Sequence, residues 1–208
     1  MASLTTLIWV LVGLACWYII VRVVRHFFRF PIPAFVARFI NNPLRRRIQP
    51  PSTVVDWMDL REGMLALEIG PGPGTFTIEA AKRLGERGKL FAMDIEPKEI
   101  LRLNKRIGRE QVKNVETRVG SAYELPFPDG FFDRVFMVTV LGEIPDKRRA
   151  LLEIKRVLKE DGLLAVGELL LDPDYPRSKT VIRWCEAQGF RLLGKHGRLL
   201  HYLLTFRK

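Results

Sequence analysis

The chain has 208 residues, 48% of them apolar, and a formal net charge of +11. This length accommodates one full-sized domain with an appendage, and the apolar content excludes a disordered chain. The charge is uneven, because residues 1–50 contain seven arginines and no acidic residue, whereas the remaining residues carry 27 basic and 23 acidic side chains. A nucleic-acid-binding domain would spread its basic residues over a folded face, so we expect no nucleic-acid partner.

Residues 2–21 are predicted to form a membrane anchor. This run of 20 residues carries no charge, and a helix of that length crosses about 30 Å of hydrocarbon. Trp17 and Tyr18 lie near its end, where amphipathic rings favour the membrane interface, and Arg22 follows. No basic residue precedes the run, so the positive-inside rule predicts a single-pass protein whose N-terminus faces out and whose main domain is cytoplasmic.

Two other interpretations of this segment fit the sequence less well. A cleaved signal peptide would need a basic start, a shorter apolar core and a small-x-small cleavage site, and none of these is clear. A buried core helix that is apolar on all sides would need a larger protein around it. The two cysteines, Cys16 and Cys185, belong to no CxxC or Cys/His cluster, so neither a metal site nor a disulfide framework is predicted.

The segment that follows is basic and partly apolar. Pro31 and Pro33 end any continuing helix, and residues 34–40 then place apolar side chains at helical spacing. Together with Arg45, Arg46 and Arg47, this pattern predicts a short interfacial helix with a basic clamp for anionic lipid headgroups. The alternative is a packed connector with solvated arginines.

From residue 54 onward, strand and helix patterns alternate. Strands are predicted over residues 64–69, 89–94, 115–120, 132–140 and 163–170, helices over 75–84, 97–107, 146–160 and 178–189, and a closing pair of strands over 190–197 and 199–207. This order predicts an α/β, Rossmann-like, seven-stranded and mostly parallel sheet with an antiparallel last strand and helices on both faces. The predicted domains are a transmembrane anchor at 1–29, a basic interfacial linker at 30–53 and a main α/β domain at 54–208.

The stretch "LEIGPGPG", residues 67–74, is the first candidate binding loop. It joins the first strand to the first helix, at the edge where open α/β sheets bind ligands. Glycines at alternate positions let the backbone approach a ligand closely. A dinucleotide fold prefers G-x-G-x-x-G, whereas here the third glycine follows the second by two residues. The preceding acid, Glu68, disfavours an anionic phosphate and favours a cation.

Four motifs in order resemble those of the class I S-adenosylmethionine-dependent methyltransferases. They are "LEIGPGPG", "FAMDIEP", "GSAYELPFPDGFFDRVF" and "LLEIKRVLKEDGLLAV", and they span about residues 60–170. The chain is most similar to the branch that acts on small molecules, which includes quinone and phospholipid methyltransferases. The resemblance implies S-adenosylmethionine as the cofactor.

The resemblance also implies roles for particular residues. The implied cofactor site consists of Glu68, Gly70, Pro71, Gly72, Gly74, Asp94, Ile95, Ser121, Ala122 and Thr139. Within it, Glu68 and the glycine loop face the cationic methionine part, and Asp94 accepts both ribose hydroxyls. Ile95 packs on the adenine, and Ser121 and Ala122 lie at the adenine edge. Many members of the family have Asp at the Ser121 position, so this contact departs from the family pattern.

The acceptor side is less specified. Topology places Glu143 after the fourth strand and Glu168 at the end of the fifth, where either can act as general base or as partner of a substrate ammonium. The alternative for both is an acid that stabilises a loop. His196 and His201, in the closing pair of strands, are interpreted as structural residues.

The anchor favours a small hydrophobic or membrane-resident acceptor, such as a lipid headgroup or a quinone-like ring. Two other functions remain open at this point. One is a membrane-tethered module that binds S-adenosylmethionine without turnover. The other is a nicotinamide-dependent oxidoreductase, which the glycine spacing disfavours.

Overall fold

The computed structural model describes residues 43–170, 172, 174–197 and 200–208, together with positions 5, 6, 8, 9, 12, 13, 16, 17 and 20. Most of the predicted span at 2–21 and all of the predicted interfacial helix at 34–40 therefore lie outside the described residues. No helix built from the described positions combines the length and the apolar character that a bilayer crossing requires. The predicted domain boundaries stay a prediction.

Seven strands form a single sheet. The strands are β1 (Leu65–Ile69), β2 (Lys89–Asp94), β3 (Val115–Val119), β4 (Phe132–Val138), β5 (Leu158–Leu169), β6 (Arg191–Gly197) and β7 (His201–Arg207). Their order across the sheet is β3-β2-β1-β4-β5-β7-β6. The first five are parallel, and β7 runs antiparallel to both β5 and β6. The predicted mostly parallel sheet with an antiparallel edge is confirmed.

Helices cover both faces of this sheet. They are α1 (Pro43–Ile48), α2 (Pro51–Asp56), α3 (Thr77–Leu84), α4 (Pro97–Arg109), α5 (Lys147–Val157) and α6 (Ser178–Glu186). Successive residues of a strand point to opposite faces of the sheet, so each buried strand contributes side chains to two hydrophobic cores, one on each face. On one face α2 and α3 pack over Ala66, Leu90 and Phe136. On the other face α5 and α6 pack over Leu67 and Val135.

The junction of α5 and β5 differs from the sequence prediction. The sequence predicts a helix to residue 160, yet α5 ends at Val157 and β5 begins at Leu158. Tertiary contacts decide this boundary, because Leu158 pairs with Phe132 and the Lys159 Nζ lies 2.6 Å from an oxygen of Asp133. Because of these contacts, the chain adopts the extended conformation of a strand from Leu158, although the helical pattern of the sequence continues to residue 160.

The end of β4 also differs from the prediction. The sequence predicts a strand over 132–140, but β4 ends at Val138 because Thr139 adopts a φ of 58°. This left-handed conformation is uncommon for a β-branched residue and marks a position that the surrounding structure holds in place. The chain turns there, directly above the carboxyl end of the strand.

The strand order reverses at β1. The chain leaves β1 for β2 and β3 on one side, and then crosses to β4 on the other side. The loops after β1 and β4 therefore diverge and leave a crevice between them, which is where open α/β sheets bind ligands. The glycine loop and Thr139 both lie at this crevice.

Candidate active site

The glycine loop is shaped by close packing at one position and open space at the next. Gly70 has a φ of +68°, and a Cβ atom there would collide with the Val140 side chain. Gly72 has a φ of +52°, and a Cβ atom there would meet no protein atom within 4 Å. Gly70 therefore holds the loop against the β4 end of the crevice, whereas Gly72 leaves its backbone open to a ligand.

Asp94, at the end of β2, is oriented by two backbone amides. Its carboxylate accepts hydrogen bonds from the Gly72 amide at 3.1 Å and from the Glu96 amide at 3.0 Å. One bond ties the carboxylate to the glycine loop, and the other ties it to the start of α4. Each carboxylate oxygen retains a further acceptor position, so the group can receive the two adjacent hydroxyls of a ribose.

Glu68 is a carboxyl group enclosed beneath the loop. It is 3% exposed, and the Thr77 hydroxyl donates a hydrogen bond to it at 2.6 Å. Burial raises the pKa of Glu68 to about 8, and the nearby Asp94 charge adds to the shift, while Thr77 and Arg106 oppose it. A buried carboxyl of this kind favours a cation placed next to it, since a positive charge stabilises the ionised form.

The expected adenine contacts occupy the neighbouring loops. Ile95 is 66% exposed, although it is a large apolar residue directly beside Asp94, so its side chain is free to cover a flat apolar ring. The Ser121 hydroxyl accepts a hydrogen bond from the Tyr123 amide at 3.2 Å, and Ala122 packs against the core. Ser121 therefore stabilises its own turn, and one acceptor position of its oxygen remains for a ligand amine.

Arg45 lies beside the predicted general-base residues Glu143 and Glu168, a place that the sequence did not indicate. The predicted headgroup clamp is wrong for Arg45, which is only 7% exposed, while Arg46 and Arg47 are more accessible to solvent. Its Nη2 donates a hydrogen bond to the Thr139 Oγ1 at 2.9 Å. The two residues are separated by 94 positions in sequence, so no local pattern could reveal the contact.

The two predicted general-base residues lie together with Asp172 beside Arg45. Glu168 is 1% exposed and accepts a hydrogen bond from the Gly142 amide, next to Glu143. Its Oε1 has no hydrogen-bond partner among the described residues. Burial and the charges of Asp172 and Glu143 raise the pKa of Glu168 well above its usual value, and Arg45 opposes this shift.

A fourth acid, Asp174, extends this group. Glu143, Asp172 and Asp174 each place one carboxylate oxygen within 4.8 Å of the others. The Arg45 guanidinium interacts electrostatically with the carboxylates of Asp172, Glu168 and Glu143. A cation of the protein itself therefore already compensates part of the negative charge of this acidic group. The sequence indicated Glu143 and Glu168 but not Asp172, because no motif marks a carboxylate in that loop.

His196 and His201, which the sequence places in the closing pair of strands, pack on an aromatic ring. The Trp57 ring stacks on both imidazoles, with centroid separations of 5.6 Å to His196 and 5.6 Å to His201. Burial lowers the pKa of His201. These contacts hold the β6–β7 hairpin against the C-terminal end of α2.

A separate cavity, of about 490 Å³, lies among the end of α5, the start of β5 and the C-terminus. Several of its cations are committed to protein partners: Arg156 pairs with Asp129, Lys159 with Asp133 and Lys208 with Glu160. These three cations are therefore already neutralised by protein carboxylates, and the cavity is poorly suited to an anionic ligand.

Comparison with known proteins identifies the domain. Residues 67–166 match a family model described as a methyltransferase domain. This match covers most of the span from β1 through β5, including the glycine loop and Asp94. Residues 67–166 therefore form a class I S-adenosylmethionine-dependent methyltransferase domain.

Curated relatives of this methyltransferase domain are quinone-biosynthesis enzymes. The chain is 32% identical over 152 residues to the ubiquinone/menaquinone biosynthesis C-methyltransferase UbiE of Vibrio vulnificus. The alignment covers 70% of this chain and 55% of the relative. A UbiE protein of Yersinia pestis matches at 32% identity, with 70% of this chain and 57% of the relative covered. The chain thus spans little more than half the length of the curated relatives that it matches.

Solved structures share the fold. An S-adenosylmethionine-dependent methyltransferase from Aquifex aeolicus superposes with a TM-score of 0.78 at 23% identity, covering 85% of this chain and 98% of that one. The [4+2]-cyclase SpnF superposes with a TM-score of 0.68 at 18% identity, covering 76% of this chain and 79% of that one. Since SpnF is named as a cyclase, the fold alone does not fix the reaction.

The residues present fit S-adenosylmethionine, which is the cofactor of this methyltransferase domain. The open backbone at Gly72, the fixed carboxylate of Asp94 and the exposed side chain of Ile95 line one continuous edge of the sheet. The buried carboxyl of Glu68 lies beneath the same loop and suits the cationic methionine part. The individual contacts stay predictions.

Replacement of Gly72 by valine should prevent cofactor binding. The valine side chain would project into the space where the ligand contacts the backbone of the loop. We therefore expect the affinity for S-adenosylmethionine to fall by about 100-fold or more, as for the loss of several contacts. Isothermal titration calorimetry measures the change. Gly130→Val is the matched control, because Gly130 also has a positive φ (+63°) and open space around its Cβ position but lies far from the crevice. Equal affinities in the two variants would contradict the assignment.

Binding of S-adenosylmethionine at pH 7 should release about one proton from Glu68. With a pKa of about 8 the free protein holds this group protonated, and a neighbouring cation favours the ionised carboxylate. Calorimetry in phosphate buffer and in Tris buffer separates the heat of proton release from the heat of binding. Glu68→Gln should abolish the proton release. The same raised pKa favours the folded state below pH 4.5, and this advantage is lost as the pH rises toward 8. Equal proton release by the wild type and Glu68→Gln would remove Glu68 from the cofactor site.

Proposed function

We propose that the chain is an active methyltransferase that acts on a small hydrophobic or membrane-resident acceptor, such as a quinone-like ring or a lipid headgroup. The observation that carries the proposal is the buried carboxyl of Glu168, whose Oε1 has no partner among the described residues. A buried oxygen without a hydrogen bond is costly, and an acceptor hydroxyl or amine that donates to it would remove that cost.

The position of Glu168 suits a base for this reaction. S-adenosylmethionine, when bound, supplies a methyl group on a positively charged sulfur, which is already an activated leaving group. The protein then has to orient the acceptor and exclude water. The raised pKa of Glu168 makes its ionised form a stronger proton acceptor for an acceptor hydroxyl. Glu143, beside it, is the second carboxylate that can hold this proton.

The relatives support a quinone-like ring as the acceptor class. They are named as C-methyltransferases of quinone biosynthesis. Removal of a proton from a ring hydroxyl raises the electron density at the neighbouring ring carbons, which then become nucleophilic. A buried carboxylate at the acceptor side is the group that such a ring hydroxyl requires.

Glu168→Gln should remove catalysis and leave cofactor binding intact. The amide cannot take up a proton, so we expect the rate to fall by about 100-fold or more. The assay incubates the full chain with methyl-labelled S-adenosylmethionine and a total membrane extract, and identifies the labelled product. Glu160→Gln is the matched control, because Glu160 lies at the other end of β5 with its side chain 92% exposed. An unimpaired Glu168→Gln variant would exclude the base role, and a wild type that labels no product would favour a silent binding module.

We further propose that residues 2–21 anchor the protein in the membrane, with the methyltransferase domain in the cytoplasm. The charge-free sequence of this segment and the arginines that follow it support the proposal. The described positions of the segment include helical residues, and the large side chains of Trp9, Trp17 and Ile20 are 72%, 66% and 54% exposed. Exposed apolar side chains of this size are suited to lipid contact.

Deletion of residues 2–29 should release the protein from membranes. We expect the full chain to float with vesicles of phosphatidylcholine and phosphatidylglycerol in a density gradient, and the shortened chain to remain at the bottom. S-adenosylmethionine affinity should stay unchanged, since every residue of the candidate cofactor site is retained. A shortened chain that floats as well as the full chain would show that the anchor lies elsewhere.

A further inference from the structure

The helix α1 packs against the methyltransferase domain through polar side chains. Arg45 is 7% exposed, and Gln49, directly after the helix, is 1% exposed. The backbone N–H of Gln49 donates a hydrogen bond to the backbone carbonyl of Arg45 at 2.7 Å, which is the hydrogen bond between residues four apart in a helix. Residues four apart lie on one face of a helix, so Arg45 and Gln49 share the face that α1 turns toward the domain.

Arg45 is held at the acceptor side of the crevice. Its hydrogen bond to Thr139 places the guanidinium at the carboxyl end of β4. The Thr139 hydroxyl in turn donates to the Val138 carbonyl at 2.7 Å, so the partner of Arg45 is itself fixed. Val140, the next residue, is the side chain that packs against Gly70. Arg45 is therefore linked through two adjacent residues to the cofactor loop.

The charges around Arg45 explain why a cation is buried there. Asp172, Glu168 and Glu143 act on the guanidinium and offset part of the cost of its burial. Without Arg45, these carboxylates would face one another at the acceptor side and would lose the cation that opposes their mutual repulsion. Removal of one partner from a buried charge group is more destabilising than removal of an exposed ion pair.

Gln49 brings a second polar group to the same helix face. Neither its Oε1 nor its Nε2 has a hydrogen-bond partner among the described residues. A connector that served only to join two segments would be expected to bury apolar side chains in such positions, because an unsatisfied buried amide costs free energy. A ligand that offers both a donor and an acceptor would satisfy it.

We propose that α1 is a wall of the acceptor site, in which Arg45 is the positioning residue that seats the helix and Gln49 presents its amide to the polar group of the acceptor. This inference rests on the proposed function and deepens it, since it assigns acceptor recognition to a segment that precedes the fold's first strand. It also places α1, which lies in the described part of the predicted linker at 30–53, at the proposed acceptor side. An acceptor with a hydroxyl or carbonyl beside its methylated position fits this wall.

The first experiment tests whether Arg45 seats α1. Hydrogen exchange measured by mass spectrometry on the full chain should show residues 43–50 exchanging about tenfold faster in Arg45→Met, as expected for the loss of a charge-assisted hydrogen bond. Peptides from β1 and β2 should be unchanged. Arg46→Met is the matched control, because Arg46 belongs to the same helix and is exposed. Thr139→Val removes the partner hydroxyl and should reproduce the faster exchange, and Arg45→Lys should restore part of the protection.

The second experiment tests whether the wall recognises the acceptor. A dilution series of the membrane extract with labelled S-adenosylmethionine gives the amount of extract needed for half-maximal labelling. For Gln49→Leu this amount should rise about tenfold, while the exchange of residues 43–50 stays at the wild-type rate. For Arg45→Met both quantities should rise. The affinity for S-adenosylmethionine, measured by calorimetry, should stay within about twofold in Gln49→Leu, because no described contact joins Gln49 to the cofactor loop.

The outcomes separate this inference from the proposed function. Unchanged exchange in both Arg45→Met and Thr139→Val would overturn the seating of α1. Faster exchange in Arg45→Met with unchanged half-saturation in both variants would make α1 a structural helix only and overturn its role as a wall. A Gln49→Leu variant that is more thermostable and saturates like the wild type would overturn the role of Gln49. A wild type that labels no product would overturn the proposed function, and with it the acceptor role, while the exchange data still decide how α1 is held.

Discussion

The pairing of β1 with both β2 and β4 is the constraint on which the rest of the site depends. Because β2 and β4 flank β1 on opposite sides, the loops that follow β1 and β4 run in opposite directions and cannot close over each other. The crevice between them receives the glycine loop from one side and Thr139 from the other. The ends of β2 and β5 then supply Asp94 and Glu168 on either side, so the candidate cofactor and acceptor residues lie at the same edge of the sheet.

Electrostatics divide this edge into two parts. On the cofactor side, Glu68 is a single buried carboxyl that is suited to a cation and that accepts a hydrogen bond from the Thr77 hydroxyl. On the side proposed for the acceptor, several carboxylates surround the buried Arg45. The net basic charge of the chain gives no indication of either arrangement, because much of the surplus of arginines belongs to residues 1–50 and the acids of the site are a small share of the total.

The glycine loop shows how much a motif can predict. The sequence indicates that three alternate glycines before a helix admit a ligand, and in the structure the Cβ position of Gly72 has no protein atom within 4 Å. The sequence does not distinguish the glycines from one another, although Gly70 is required by contact with Val140, a residue 70 positions away. Helix boundaries show the same limit, since the periodicity that predicts α5 continues beyond Val157, where pairing with β4 takes over.

By itself, the sequence determined the order of strands and helices and the position of the glycine loop. It also indicated Asp94 and Glu168 at strand ends and Glu143 in the loop after β4. These follow from local periodicity and from motifs whose residues are adjacent in the chain. Only the tertiary structure decided the role of Arg45, which the sequence assigned to lipid headgroups together with Arg46 and Arg47. Three consecutive arginines are chemically equivalent in sequence, and only the packing of α1 against β4 places one of them in a buried, acid-lined position and leaves its neighbours more accessible.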